Sequence, residues 1–451
     1  MAYYYCQARY DTATVKYFCQ GVRVASDKST GLVSMLLCSL LAQTPLCLAH
    51  LPELFGKEYI LAEEKPASPA PEPKVNALMP LSEQDRDLHE SHLEDLADAD
   101  GPYATGLTDP LINLGYYHRS RGDLEESIEA YSRALHLVRI NDGLTSELQL
   151  PILRAMIEIY RSVYDYESLG NLYQYYSRVR NFGVAPHTAE QLDASLEYLE
   201  WERELYGFRP DGKERVHLLR AFRLNERMLE SLTPETEEEV MGLIRLTLSQ
   251  MRNLYLILGD DPLAMDAAIF NSGQGRAIDA INREMSIIQK LAFSKGKLLL
   301  QKCIDQSQLA PPTALASIYL ELGDWNQWNG QLRNANEQYA QVETMLLAAN
   351  EDQLLQRWLG EPAALPDEPG LWPAAPDDPE SQHVVVEASY AVTHRGDVKR
   401  IEVSVSEEEQ SWQAWRIRNM LRETHFRPRF HLGQPETVEQ VSRQYLLVEG
   451  R

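Results

Sequence analysis

The sequence predicts a mainly α protein, in which a helical solenoid is followed by a small α+β unit with the element order β-β-α-β. Three observations support this prediction. Two distant segments share one frame of Leu, Gly and Tyr residues, and two proline-rich stretches divide the chain into parts. From His383 onward, the hydrophobic residues change from helical spacing to two-residue alternation.

Length and composition bound the class of protein. At 451 residues the chain exceeds one typical core, so two or three folded units are expected. A hydrophobic share of 44% indicates a globular protein. The formal net charge of −24 argues against non-specific binding to nucleic acid or anionic lipid. The segment from His383 onward holds 10 Lys/Arg and 10 Asp/Glu, so the acidic excess lies upstream and indicates units of different kinds.

Residues 1–49 are interpreted as an export signal region, with a start codon assigned too far upstream as one explanation of its atypical first residues. Gly31 to Ala49 carry no charge and follow the basic Arg23 and Lys28. A basic flank, an apolar stretch and a small residue before His50 are typical of a secretory signal. Retention of this segment as a membrane anchor stays an alternative, although its polar residues and Pro45 disfavour a spanning helix.

Cysteine usage and two linkers complete the domain map. Four of the five cysteines lie within the first 47 residues, so a processed chain keeps only Cys303 and forms no internal disulfide. Residues 50–107 are predicted to be a Pro-rich, acidic linker, and residues 351–382 a second Pro-rich linker. The solenoid is assigned to residues 108–350 and the C-terminal domain to residues 383–451.

The two segments that share a frame are LINLGYYHRSRGDLEESIEAYSRAL and YLELGDWNQWNGQLRNANEQYAQV. Small residues let paired helices approach, a turn glycine tolerates positive φ, and tyrosines fill the gap between neighbouring repeats. The residues assigned to this packing are Leu114, Gly115, Gly122, Tyr131, Leu322, Gly323, Ala335 and Tyr339. This part of the chain resembles the tetratricopeptide repeat (TPR) family. The resemblance implies a stacked array that binds partners along a concave face formed by the first helix of each pair.

The positions predicted to line that face are Ile112, Tyr116 and Arg119 in the first repeat, and Leu320, Asp324 and Gln327 in the last. The alternative is that each is an ordinary solvated position. The family's clamp for a C-terminal carboxylate needs Lys and Asn on this face. Ile112 and Tyr116 stand there instead, so binding of that type is not supported.

No motif supports catalysis. His89 and His92, near Glu94 and Asp95, could hold Zn²⁺, but no third ligand is placed by the pattern and an exposed acidic segment explains them better. Cys303 lies in an apolar run and is expected in the core rather than as a nucleophile. No phosphate loop, Gly-x-Ser-x-Gly or His-Glu-x-x-His is present. We therefore predict no enzymatic activity, no cofactor and no metal.

The final segment predicts two alternating strands joined at Arg395-Gly396-Asp397, then a helix and a last strand. Trp412, Trp415 and Met420 have helical spacing and are expected to cover one face of the sheet. A resemblance to the C-terminal domain of TonB-family proteins lies in Tyr390, Val392, Thr393, Gly396, Val398, Phe426-Arg427-Pro428, Gly433-x-Pro435 and the strand through Tyr445.

The resemblance to TonB implies a periplasmic domain whose sheet edge pairs with an extended segment of an outer-membrane transporter. The edge residues assigned here to partner binding are Val438, Val441, Arg443, Tyr445 and Leu447. A covered or self-paired edge is the equal alternative. A local basic cluster is formed by Arg416, Arg418, Arg422, Arg427 and Arg429, and it faces either the protein's own acidic residues or solvent, or else an acidic partner.

Together these features predict a non-enzymatic, periplasmic interaction scaffold of a Gram-negative bacterium, which binds envelope or outer-membrane proteins and no nucleic acid. Contact with the membrane is expected only if the N-terminal segment is retained. The alternative is a membrane-anchored TonB-like transducer or accessory acting on outer-membrane transporters. It is disfavoured because the spacer from Glu63 to Lys74, at about 3.1 Å per residue, spans only tens of Å. The third hypothesis is a metal-dependent hydrolase using His89 and His92.

Overall fold

The computed structural model describes residues 60–61, 91, 93, 95–163, 165–180, 188–208, 213–260, 275–366, 383–405 and 411–448. Within these ranges the chain is mainly helical, with a small C-terminal region that contains strands. The predicted export signal, most of the first linker and residues 367–382 lie outside the described residues.

The helices follow one another along most of the chain. They are α1 (Thr108–Arg121), α2 (Leu124–Asn141), α3 (Leu150–Ser162), α4 (Tyr166–Val179), α5 (Ala189–Phe208), α6 (Glu214–Ser231), α7 (Glu237–Gly259), α8 (Gly275–Gln306), α9 (Pro312–Trp328), α10 (Leu332–Ala348), α11 (Asp352–Leu359) and α12 (Ser411–Glu423). Short 3₁₀ turns at Thr105–Leu107 and Glu147–Gln149 precede α1 and α3.

Consecutive helices pack as pairs: α1 with α2, α3 with α4, α5 with α6, α7 with α8, and α9 with α10. The turns of the first and last pairs contain Gly122 and Gly330, whose φ angles of 85° and 74° favour glycine. Apolar side chains from α1 through α9 form one continuous core. We name the first pair, α1 and α2, the first hairpin, and the last pair, α9 and α10, the last hairpin.

Both hairpins have the same interior contact. A Cβ atom added to Gly115 would lie 2.8 Å from the Tyr131 ring, and one added to Gly323 would lie 2.5 Å from the Tyr339 ring. Each tyrosine therefore packs directly on the glycine of its own hairpin. This differs from the expected placement of the tyrosines between neighbouring repeats, because each glycine lacks a side chain and so leaves room for a ring within its own pair.

The packed helical region extends beyond its predicted limits. Leu93 and Leu107, placed by sequence in the first linker, are buried in the main core. On the other side, α11 follows residue 350 and packs against α10, with Leu359 fully buried. Apolar side chains at these positions extend the helical core into both predicted linkers.

Three C-terminal strands and one short strand from the N-terminal part of the chain form a four-stranded antiparallel sheet. In their order across the sheet, these strands are β1 (Ile60–Leu61), β8 (Val438–Val448), β3 (His383–Val392) and β4 (Val398–Val405). Helix α12 packs against β3 and β4. Shorter strands are β2 (Ala363–Ala364) paired with β5 (Phe426–Arg427), and β6 (Arg429–His431) paired with β7 (Gln434–Glu436). We call residues 383–405 and 411–448 the C-terminal unit.

The expected cover of this sheet by Trp412 and Trp415 is wrong. Ile417, Met420 and Leu421 are buried against the sheet, whereas Trp412 and Trp415 are 53% and 40% exposed. Residues three and four apart share a helix face, and the buried set occupies the face opposite to the tryptophans. Of the three residues predicted to cover the sheet, only Met420 does so.

Candidate functional site

The last hairpin and the C-terminal unit meet at a buried ion pair. Asp324 of α9 accepts a hydrogen bond from the Arg427 guanidinium at 2.5 Å, and both side chains are less than 5% exposed. The Tyr339 hydroxyl donates to the other oxygen of Asp324 at 2.9 Å. A buried charge without a partner is strongly unfavourable, so each of these two side chains requires the other.

Gln327 extends this junction by binding backbone atoms. Its side-chain amide donates to the carbonyl oxygens of Arg395, at 2.7 Å, and Phe426, at 3.0 Å. Gly396 makes this approach feasible, because a Cβ atom there would lie 2.1 Å from the Phe426 carbonyl oxygen and 2.4 Å from Gln327 Nε2. The turn predicted at Arg395-Gly396-Asp397 is therefore also a docking element.

The other helix of the hairpin holds a second turn of the C-terminal unit. The Glu343 carboxylate of α10 accepts hydrogen bonds from the backbone N–H groups of Leu432, at 2.9 Å, and Gly433, at 2.7 Å. The Phe430 ring lies edge-on to Tyr339, with centroids 5.9 Å apart. The loop between β6 and β7 is thus bound by both charge and apolar packing.

The TonB-like motif residues fall into two groups. Phe426, Arg427, Pro428, Gly433 and Pro435 belong to the segments that lie on or beside the last hairpin. Tyr390 lies in the core of the C-terminal unit, where its hydroxyl is 3.2 Å from that of Tyr445. The Phe426 ring belongs to the same core, with its centroid 5.7 Å from that of Tyr390, so Phe426 links the two groups. Sequence reasoning missed Glu343. For Arg427 it included the protein's own acidic residues among the alternatives, but no local pattern identifies Asp324, which lies 103 positions away.

These contacts correct the predicted face of the last repeat. Asp324 and Gln327 are each 3% exposed, and both bind the C-terminal unit. Leu320 is half-buried in the same apolar cluster as Phe430. Of the three positions predicted to receive a partner, Asp324 and Gln327 are thus covered within this chain, and Leu320 is partly covered.

The predicted face of the first repeat has a different environment. Ile112 is half-buried against the core, and Tyr116 and Arg119 are also half-buried. Arg119 bonds to Glu158 of α3 at 2.5 Å, with both side chains more than a third exposed. The polar surface here is accessible, although Arg119 is already paired.

The Arg119–Glu158 contact belongs to a series that we call the Arg–Glu ladder. In it, Arg154 and Arg161 of α3 bond to Glu197 and Glu204 of α5, at 3.0 and 2.9 Å. Burial raises the pKa of the Glu204 carboxyl, and the Arg161 guanidinium opposes that rise. Sequence analysis missed the ladder. Its signal is the seven-residue spacing of both the arginines and the glutamates, which places each pair on one helix face.

The predicted edge strand is only partly an edge. Strand β8 pairs with β3 along most of its length, and its other side pairs with β1 at Tyr445 and Leu446. Val441 and Tyr445 are buried in the core of the C-terminal unit, while Arg443 lies 3.5 Å from Glu361. Val438 is half-buried, and Leu447 is opposite Val384 in the ladder. Among the described residues, the stretch of β8 from Val438 to Gln444 has a partner strand on one side only.

Metal-binding clusters and membrane-spanning helices are both missing from the described residues. In those ranges, no group of three or more His, Cys, Asp or Glu is placed to hold a metal ion, and no helix has the length and apolarity to cross a membrane. His89 and His92 lie outside them, as does the segment from Gly31 to Ala49. Cys303 is 1% exposed, and burial raises the pKa of its thiol. A buried thiol with a raised pKa is a poor nucleophile.

Comparison with known proteins does not assign a family. No protein-family model matches the chain, and no curated protein matches it. The two resemblances noted from the sequence therefore rest on their residue patterns alone.

Proposed function

We propose that this protein is a non-enzymatic interaction scaffold of the Gram-negative periplasm, with a TPR-like solenoid and a TonB-like C-terminal domain. It binds envelope or outer-membrane proteins at two surfaces and uses no cofactor. The first surface is the face of α1, α3 and α5 that carries Tyr116, Arg119 and the Arg–Glu ladder. The second is the outer side of β8 between Val438 and Gln444.

The observation that carries this proposal is the buried junction between the last hairpin and the C-terminal unit. Asp324 and Arg427 are both nearly fully buried, and separating them would leave two uncompensated charges. Together with the continuous core of α1 through α9, the junction therefore holds the two surfaces in a fixed relation. Association costs the translational and rotational freedom of the binding partners. Two surfaces that are already held in one orientation reduce this cost for a partner that contacts both.

The chemistry of each surface fits protein ligands. On the helical face, Arg and Glu side chains alternate between neighbouring helices and supply both charge signs, and all of them except the buried Glu204 are partly exposed. Along β8, a strand with one unpaired side offers backbone N–H and C=O groups to an extended segment.

A site-specific crosslinking experiment tests the proposal. The full chain, expressed in its native type of host, carries a photoreactive amino acid at Tyr116 or at the exposed Gln440. A matched control carries it at Arg333 of α10, whose side chain is 91% exposed. We expect discrete protein adducts from Tyr116 and Gln440 and none from Arg333. Adducts absent from both test positions, or equal at all three, would reject the proposal.

The transducer is the second candidate, and one contact bears on it. Ile60–Leu61 pairs with β8, so the chain returns to the C-terminal sheet only about ten residues after the predicted signal. The proline-rich spacer then follows this contact instead of separating the N-terminal segment from the sheet. A tether that spans the periplasm is hard to reconcile with this order.

Fractionation with N-terminal sequencing separates the two candidates. A soluble mature chain that begins near His50 supports the scaffold and excludes the transducer, whereas a membrane-bound chain that retains Gly31 to Ala49 does the reverse. For the third candidate, the hydrolase, stoichiometric Zn²⁺ that is lost on replacing His89 and His92 by Ala would be required. Protein purified without chelator and free of zinc would exclude it.

A further inference from the structure

Helix α12 carries an exposed stripe that the proposed function does not use. Trp412 and Trp415 stack with ring centroids 4.6 Å apart and an interplanar angle of 19°, and both remain substantially exposed. Asn419 and the exposed Arg422 continue the same face at helical spacing, and Arg422 donates to Asn419 at 3.3 Å. We call Trp412, Trp415, Asn419 and Arg422 the Trp–Arg stripe.

Exposed, stacked indoles indicate a binding surface. Trp and Arg are the residues most often found at the energetic centre of protein interfaces. Flat aromatic surfaces also accommodate proline-containing segments, which are extended before binding and so lose little entropy. The helix contains three Arg and one Glu, so its charge favours an acidic ligand.

One acidic, proline-containing segment is tethered at both ends of this helix. Leu365 donates its N–H to the carbonyl of His425, just after α12 ends. His383 begins β3, close to Val386, which pairs with Val405, the last residue of β4 before α12. Residues 367–382 therefore connect a point near the end of α12 to a point near its start.

The length of that connection is sufficient for it to run beside the helix. Sixteen residues reach at most about 50 Å, whereas α12 is only about 20 Å long and β3 about 33 Å. The segment holds five Asp or Glu, no Lys or Arg, and four prolines. In chain order, Asp367 and Glu368 come first in the segment, directly after Pro366, and Leu371-Trp372-Pro373 follow.

We propose that the Trp–Arg stripe is a binding face for an acidic, proline-containing segment, and that its occupant is residues 367–382 of the same chain. Trp372 and Pro373 contact the indoles of Trp412 and Trp415, and Asp367 or Glu368 contacts Arg422. Burial of three indoles against one another is the main contribution, since an exposed ion pair adds little.

Limited proteolysis of the full chain tests this contact. Cleavage within residues 367–382 by endoproteinase Asp-N is followed by mass spectrometry for four proteins: the wild type, Trp372→Ala, Trp412→Ala/Trp415→Ala, and the triple variant. We expect both sets of substitutions to accelerate cleavage at least about fivefold, and the triple variant to be no faster than either, since both remove one contact. Equal rates for the wild type and the Trp412→Ala/Trp415→Ala variant would overturn the proposal.

Two controls keep the result specific. Leu298→Ala, at a leucine of α8 that is 71% exposed, should leave cleavage unchanged. Helical circular dichroism should be the same in all variants, because Ile417 and Leu421 in the buried face of α12 are untouched.

The cleavage rate of the wild type is also measured at two protein concentrations about a hundredfold apart, which distinguishes an intramolecular occupant from a second copy. Protection that increases with concentration would assign the occupant to a second copy and overturn the intramolecular assignment.

Discussion

The first and last hairpins share a sequence frame but differ in what their faces contact. In both, a tyrosine ring packs on a glycine of the partner helix. On the first hairpin the face residues Tyr116 and Arg119 stay half-exposed, whereas Asp324 and Gln327 of the last are covered by the C-terminal unit. The shared frame therefore accompanies the same glycine–tyrosine contact inside both hairpins. Whether the face residues of a hairpin are exposed depends on which other part of the protein packs against them.

The largest expected effect contrasts the two ion pairs of these faces. Arg427→Ala removes the cationic partner of the buried Asp324 carboxylate, which keeps its hydrogen bond from Tyr339, and should lower the free energy of unfolding by about 3–5 kcal/mol. Arg119→Ala removes an exposed pair and should cost less than about 1 kcal/mol. Urea denaturation followed by circular dichroism measures both. Similar losses for the two variants would contradict the distinction between a covered and an open face.

A second test uses two glycines with the same φ of 85° but different surroundings. Gly396→Ala must move the Phe426 carbonyl and Gln327, so we expect a loss of roughly 3 kcal/mol or more from strain and steric overlap. A Cβ atom added at Gly122 has no atom within 4 Å. Gly122→Ala should therefore cost only about 1–2 kcal/mol, the amount that a residue with a side chain loses at positive φ. Thermal unfolding of the two variants gives the comparison. If Gly122→Ala proved the more damaging, the docking role of Gly396 would be untenable.

The shared interior predicts equal behaviour at a third pair of sites. Gly115→Ala and Gly323→Ala each force a methyl group into a tyrosine ring and should cost about 1–3 kcal/mol. Gly170→Ala in α4 is the control, since no atom lies within 4 Å of the added carbon and its helix propensity improves. Chemical denaturation should show two similar losses and, for the control, none. A large loss at only one of the two tyrosine-packed glycines would show that the interiors differ.

The smallest effect concerns alkaline pH. Burial, against the lowering influence of Arg119, raises the pKa of Tyr131 to about 12. Because the unfolded value is about 10, the neutral phenol stabilises the fold fully below pH 10, and this contribution is lost as the pH rises through 12. At pH 11 the loss is about 1 kcal/mol.

Tyr131→Phe removes the titrating group and isolates this effect. Its stability relative to the wild type should improve by that amount between pH 9 and pH 11, as measured by urea denaturation at each pH. At Tyr339, burial and Asp324 raise the pKa still further. A pH-independent difference between the wild type and Tyr131→Phe would show that Tyr131 titrates normally.

Local patterns predicted most of the helices and the period change at His383, because these depend on residues within one or two turns of each other. Local patterns did not predict the contacts between residues that are distant in the chain. Arg427 was assigned to a basic cluster facing the protein's own acidic residues, solvent or an acidic partner. Its contact with Asp324 agrees with the first of these alternatives, but the sequence did not specify that residue, which lies 103 positions away. Ile60–Leu61 was placed in a linker, yet it pairs with β8. Neither contact has a signature in the neighbouring sequence.

By itself, the sequence determined the helical class and the alternation that makes the C-terminal strands. Each of these follows from the spacing of side chains along a single element. Only the tertiary structure decided which polar residues remain exposed. Solvent exposure depends on what packs on a surface, and in the last hairpin that is a unit whose residues are distant in the chain. The carboxylate of Asp324 and the guanidinium of Arg427 became one buried contact through that packing.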